Sequence, residues 1–282
     1  MKIYAAILAV ALAVACGDAV AQDDSDGWQF SLTPYLWLPT IDGTLNYNPP
    51  PGGGSAPEIE VGPTDWLDLL NIGVLISGSA RKGRYSIASD FVYLSLTAKN
   101  DGRVVSVEDN ITVPGVPIPI PISASLNLNT RTDLDGLVWT IAGGYALQET
   151  ETSSLDVFAG ARYFSVDVAT SWDLTADITT PGGTVVLPAQ GSIALDVDIW
   201  DGIIGIREYS KVGIGKWSVP YYVDVGAGDS DLTWNAMIGM SREYGWGELV
   251  VAYRHLDYDQ DANDLLQNFS FSGPGVGARF NF

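Results

Sequence analysis

Apolar and polar residues alternate with a period of two along much of this chain. From Leu155 to Tyr163, Leu155, Val157, Ala159, Ala161 and Tyr163 share one face, and Asp156, Gly160 and Arg162 share the other. The last segment sets Val276, Ala278, Phe280 and Phe282 against Gly275, Gly277, Arg279 and Asn281. Successive side chains of a strand point to opposite sides, so this alternation marks strands with two unlike faces. It predicts ten strands, near 27–39, 68–81, 84–97, 130–147, 155–168, 195–209, 216–228, 231–244, 247–258 and 268–282. Short polar or glycine-bearing connections (Arg81 to Arg84, Glu149 to Ser154, Ser210 to Gly215, Tyr244 to Gly247) alternate with the opposite set. Three of that opposite set are long, at 40–67, 98–129 and 169–194. Short turns at one end and longer loops at the other are the pattern of a transmembrane antiparallel up-and-down β-barrel. The expected fold is therefore an all-β barrel of ten strands, with eight or twelve as alternatives. An even count puts both ends on the periplasmic side.

The first residues read differently. Lys2 and the apolar run Ile3 to Val14 precede Ala19-Val20-Ala21, the small-x-small pattern of a cleaved export signal. Residues 1–21 are thus expected to be a signal peptide and 22–282 the barrel domain. Cys16 follows Ala13-Val14-Ala15, a lipobox-like context, but Ala13 stands where a good lipobox carries leucine, and cleavage after Ala21 is the favoured reading. Since Cys16 is the one cysteine, the exported chain is expected to lack disulfides, thiolate metal sites and a cysteine nucleophile. Hydrophobic residues make up 46% of the sequence, yet beyond the signal no run approaches the ~18 apolar residues of a spanning helix. A barrel resolves this, because its apolar residues occupy alternate positions. Charge narrows the partners: 14 Lys+Arg against 34 Asp+Glu, a net −20, argues against nucleic acid, which requires a basic surface.

The unit Gly-x-Arg recurs at Gly160-Ala161-Arg162, Gly205-Ile206-Arg207 and Gly277-Ala278-Arg279, with Ala252-Tyr253-Arg254 a near-copy. Residues two apart share a face, and an arginine toward lipid costs ~2–4 kcal/mol at mid-bilayer, so these arginines are assigned to the lumen. There glycine is expected to leave space beside the guanidinium. The same alternation turns Asp90, Asp156, Asp224 and Glu243 inward as partners; Asp135 and Asp201 lie on strands that alternate poorly. Paired charges would brace and close a small lumen, or line a narrow charge-selective pore. Aromatic residues near the strand ends (Trp28, Tyr35 and Trp37; Trp217, Tyr221 and Tyr222; Trp234; Tyr244 and Trp246; Tyr253 and Tyr258) are read as interfacial girdles.

His255 is the one histidine, and Asp257, Ser270 and Ser272 fall near it on the last two strands. That grouping suits a lipid- or peptide-modifying enzyme, but Arg254 facing inward turns His255 outward, toward lipid or the interfacial belt. An enzyme is accordingly the alternative and a non-enzymatic barrel the expectation, with no cofactor. Asp257 to Asp264 is acidic, yet Ala262 and Asn268 occupy the positions where a calcium loop needs glycine and glutamate, so no metal site is assigned. Asn48 to Gly54 and Val113 to Pro121 read as exposed loop, and Asp229-Ser230-Asp231 as a tight external turn. The long loops at 40–67, 98–129 and 169–194 leave a third reading open, a surface binder acting through them.

Trp28-Gln29-Phe30-Ser31-Leu32-Thr33-Pro34-Tyr35-Leu36-Trp37-Leu38-Pro39 resembles the opening strand of a widespread proteobacterial outer-membrane β-barrel family. The likeness continues at Tyr222 to Trp234, Ala252 to Tyr258 and Phe271 to Gly277, and covers most of the exported chain. It implies a fold and an outer-membrane location and carries over no catalytic residue. Phe280-Asn281-Phe282 resembles the C-terminal signal read by the barrel-assembly machinery, with Phe280 and Phe282 as its aromatic positions. Expected partners are outer-membrane lipid, lipopolysaccharide and that machinery. The function expected is a narrow polar pore or a structural barrel with a salt-bridged lumen.

Overall fold

The computed structural model describes residues 27–45, 58–111, 120–150, 152–180, 183–213, 215–260 and 266–282. The expected signal (1–21), the Pro-Gly run 48–54, residues 112–119 of the Ile-Pro run and residues 261–264 lie outside them. The elements in chain order are β1 (Gln29–Trp37), β2 (Thr40–Leu45), β3 (Glu58–Val61), α1 (Pro63–Leu67), β4 (Leu70–Lys82), β5 (Tyr85–Ile111) and β6 (Ile120–Glu149). They continue as β7 (Ser153–Thr180), β8 (Gly183–Val212), β9 (Trp217–Gly228), β10 (Leu232–Tyr244), β11 (Gly247–Asp259) and β12 (Leu266–Asn281).

Contacts divide the chain into two units. The first holds the residues up to Leu94, Gly136–Ser165 and Asp198–Phe282, and it closes into an antiparallel barrel. β1 pairs with β4, each later strand with the next, and β12 returns to β1. Ten strands make this ring. β2 is not a further stave: β12 pairs with β1 through Gly275–Asn281 and with β2 through Leu266–Ser272, so both follow one strand in succession. The break between them falls at Leu38-Pro39, where proline cannot donate to the ladder. Trp37 Nε1 donates to Gly273 O at 3.2 Å, and a Cβ on Gly273 would sit 2.1 Å from Leu38 O. In the short helix α1, Asp65 caps the Gly62 amide (3.1 Å), and buried Trp66 donates through Nε1 to Pro39 O at 2.9 Å. At the other end, Phe30 and Phe282 exchange backbone hydrogen bonds of 3.1 and 2.9 Å, closing the ring. Two tight turns there use positive φ, +55° at Gly83 and +68° at Gly213, which glycine adopts without steric cost.

The faces separate as the alternation requires. Ile72, Val74, Ile204, Ile238 and Val251 project outward and are exposed, while Asp156, Arg162, Asp224, Leu256 and Tyr258 point inward and are buried. An apolar outer wall around a polar interior is the inverse of a water-soluble barrel and fits a bilayer. Four aromatic residues assigned to girdles belong inside instead. Trp37 and Tyr258 are buried, Tyr222 packs on buried Phe158, and Tyr35 bonds to Asp90. Each shares the parity of the inward residues. Trp28, Trp217, Trp234, Tyr244, Trp246 and Tyr253 do lie exposed outside. Arg242 is held between two of these rings, 5.3 Å from Trp217 and 5.4 Å from Tyr244.

The second unit holds Ser95–Asp135 and Val166–Val197, ranges that take in both stretches expected to be loop at 98–129 and 169–194. Where described, these stretches are strand. β5 to β8 run 27, 30, 28 and 30 residues, against the ~9–11 that span a bilayer at the usual tilt. Here Asp133 accepts from Thr97 Oγ1 at 2.6 Å and from Arg131 at 2.8 and 3.0 Å. Asp133 lies well beyond a spanning length from the β6–β7 turn. The Arg131 guanidinium and the Thr97 hydroxyl bonded to its carboxylate hold its pKa down at about 2.

Candidate functional site

The lumen is crossed by one continuous hydrogen-bonded chain. Arg162 on β7 pairs with Asp224 on β9, and neither side chain has any exposed surface. Its other nitrogens donate to Thr140 on β6 at 3.3 Å and Thr233 on β10 at 3.2 Å. Asn235 on β10 donates to Asp224 at 3.4 Å and accepts from Arg254 Nε at 3.2 Å. Arg254 on β11 then reaches Asp90 on β5 at 2.7 Å and the Tyr35 hydroxyl on β1 at 3.3 Å, while Tyr35 donates to Asp90 at 2.7 Å. The chain thus ties β1, β5, β6, β7, β9, β10 and β11. Trp37 lies under the Arg254 guanidinium at 4.8 Å.

Two smaller clusters sit nearer the tight turns. Asp156 receives Arg81, and Arg207 through Nη2 at 2.9 Å and Nε at 3.0 Å; Arg207 also donates to Ser86 at 2.7 Å. Glu248 takes Arg279 at 3.0 Å, the Tyr209 hydroxyl at 2.7 Å and the Ser241 hydroxyl. Toward the opposite end, Phe164 packs against Tyr258 (5.1 Å) and Phe269 (4.8 Å), and Phe271 meets Phe269 at 5.9 Å. Also there, buried Asp201 accepts from Ser230 N at 3.0 Å and Ser230 Oγ at 2.6 Å, which secures the 229–231 turn.

Of the residues assigned to the lumen, Asp90, Asp156, Arg162, Arg207, Asp224, Arg254 and Arg279 all enter these clusters. Glu243 does not: it shares the inward parity of β10 but lies exposed at the strand end, and Glu248 is the carboxylate that meets Arg279. Arg81, read as part of a turn, also faces inward. The room left by the Gly-x-Arg glycines is used differently from the expectation. A Cβ at Gly160 would meet Ile141 O at 2.0 Å, and one at Gly205 would meet Val223 O at 2.3 Å and the Phe158 ring at 2.5 Å. The neighbouring strand fills that space. A glycine that does stand beside a guanidinium is Gly144, whose Cβ would lie 3.4 Å from Arg207 Nη2.

On the outer wall, His255 packs against Trp234 with ring centroids 4.4 Å apart and planes inclined at 37°, and its Nδ1 meets Ser272 Oγ. Asp257 Oδ2 lies 3.8 Å from Nε2. The outward orientation follows from Arg254 pointing inward, as alternation demands.

No family model matches the sequence, and no curated protein matches it. Among solved structures, the TodX ΔS2S3 mutant monoaromatic hydrocarbon channel is similar at 13% identity and TM-score 0.36, covering 91% of each chain. The translocator domain of the autotransporter NalP from Neisseria meningitidis shows 12% identity and TM-score 0.36, over 100% of this chain and 97% of its own. Ail of Yersinia pestis shows 9% identity and TM-score 0.28, over 90% and 99%. At these scores the likenesses carry no argument about function.

Proposed function

We propose that this chain is an outer-membrane β-barrel with a closed, cross-braced lumen, a structural barrel rather than a solute pathway. One observation carries the reading. At the level of Arg162 and Asp224 the interior is filled by an ion pair with no accessible surface, and Thr233, Asn235 and Leu256 beside it are buried too. A pore needs a continuous wet path. The interior arginines are all paired: Arg81 and Arg207 with Asp156, Arg162 with Asp224, Arg254 with Asp90 and Arg279 with Glu248. Charge-selective pores are built from rings of one sign, and paired opposite charges serve bracing instead. In this reading the apolar wall meets membrane lipid, lipopolysaccharide surrounds the end away from the tight turns, and Phe280 and Phe282 present the assembly signal. The test is single-channel recording of the folded protein in a planar bilayer. The expected result is a silent membrane, and silence again in Arg254→Ala. Reproducible conductance steps in the wild type would overturn the proposal.

A further inference from the structure

We infer that the outer wall carries a second site, a Ser272–His255–Asp257 constellation that hydrolyses acyl esters of membrane lipid. The inference goes beyond the closed lumen and does not depend on it. Register brings the three together. Ser272 on β12 is the cross-strand partner of His255 on β11, and Asp257, two residues on, repeats the outward face of His255. Ser272 Oγ is hydrogen-bonded to Nδ1, and the Asp257 carboxylate stands 3.8 Å from Nε2. With the imidazole proton on Nε2, Nδ1 keeps the lone pair that can take the serine proton. Trp234, the partner of Asp257 across β10, packs against the ring with centroids 4.4 Å apart and planes inclined at 37°. The imidazole is thereby fixed on three sides: nucleophile, carboxylate and aromatic face. That is the logic of an activated serine, in which a base within hydrogen-bond reach is itself oriented by a third group.

The position selects the substrate. From His255 toward the tight turn, the outward residues Tyr253 and Val251 are exposed and apolar, as is Ile238 on the adjoining strand. Beyond it come Asp257 and Asp259 on β11 and exposed Asp42 on β2. Ser272 therefore lies where an apolar belt gives way to polar surface, the depth at which a lipid changes from acyl chain to ester and headgroup. Thr40, paired with Ser272 from β2, stands on the same outer face beside it and is placed to donate to a carbonyl oxygen as it becomes an oxyanion. In the first step Ser272 Oγ bonds to the ester carbonyl carbon and its proton passes to Nδ1. The carbon–oxygen bond to the alcohol then breaks, and the leaving alkoxide takes that proton. Water, deprotonated by His255, next cleaves the acyl-serine. The products are a lysolipid and a fatty acid, and Ser272 recovers its proton.

The experiment uses the folded full-length barrel in vesicles of dioleoylphosphatidylethanolamine, with heat-modifiable gel mobility as the check on folding. A fluorophosphonate reagent and fatty-acid release are the two readouts. Expected are an adduct mapped to Ser272, its loss in Ser272→Ala, and a fall of ~10²–10⁴ in fatty-acid release in His255→Gln. Asp257→Asn should lower the rate while leaving the adduct site unchanged. A folded wild type that takes up the reagent no faster than Ser272→Ala and releases no fatty acid would overturn the inference. So would an adduct on Ser270 in place of Ser272.

Discussion

Arg162→Met is expected to destabilise the folded barrel by about 3–5 kcal/mol, because it leaves Asp224 charged, buried and without its cation. Both side chains are fully enclosed, so water cannot replace the lost partner without opening the interior. Thr140 and Thr233 lose their donor at the same time. The loss should be read from urea titration of the barrel in vesicles, following tryptophan fluorescence. Removing both charges in Arg162→Met/Asp224→Leu should recover most of the stability, since an apolar pair of similar volume can replace a buried ion pair at little cost. Recovery of this kind separates an unpaired charge from a cavity. If the single variant loses less than about 1 kcal/mol, the ion pair is hydrated and the lumen is not sealed at this level.

The second large effect is expected at Gly205. A side chain there would collide with Val223 O, the Phe158 ring and Asp224 Cβ at 2.3, 2.5 and 2.8 Å. The first of these is backbone of the adjoining strand, which a rotamer change cannot move aside. Gly205→Val should therefore reach or exceed the ~3 kcal/mol upper range of ordinary overpacking, seen as failure to acquire the heat-modifiable folded form. Gly143, where a Cβ would meet nothing within 4 Å, supplies the control: Gly143→Val should stay within about 0.5 kcal/mol of wild type. Equal behaviour of the two variants would contradict the close packing of β8 against β9.

Period-two alternation was enough to place the arginines inside, because a strand with one lipid face and one enclosed face must alternate. It does not carry over to β5 to β8 beyond spanning length, where the proline-rich run Val113 to Pro121 and the polar residues around it read as loop although the described parts of these stretches are strand. Glu248 was within reach of the same logic, since it shares the parity of Arg254. Glu243 has the inward parity too, but its exposed place at the end of β10, out of the enclosed interior, is invisible in the alternation. Tyr35, Trp37, Tyr222 and Tyr258 lie near strand ends as girdle residues do, but their parity puts them inside. Which inward charges meet was not legible at all. Arg162 reaches Asp224 across non-adjacent strands, and such pairing depends on strand tilt and stagger, quantities absent from local sequence. The His255–Ser272 contact lies between: the sequence puts both residues on the last two strands, and only register makes them neighbours.

Closure of the lumen is tested most directly by reagent access. Cys16 is the one cysteine in the sequence and lies in the expected signal, so an introduced thiol in the barrel reports alone once the signal is gone. Thr233→Cys puts it at a fully enclosed position of nearly unchanged shape, Ala146→Cys at a second enclosed one, and Asp229→Cys on an exposed turn. Membrane-impermeant methanethiosulfonate is then applied from either side of proteoliposomes. A closed barrel predicts rapid reaction at position 229, and none at 233 or 146 until the protein is unfolded. Reaction at position 233 in the folded barrel, at a rate approaching that at 229, would mean that water crosses the Arg162–Asp224 level and that the lumen is a pore.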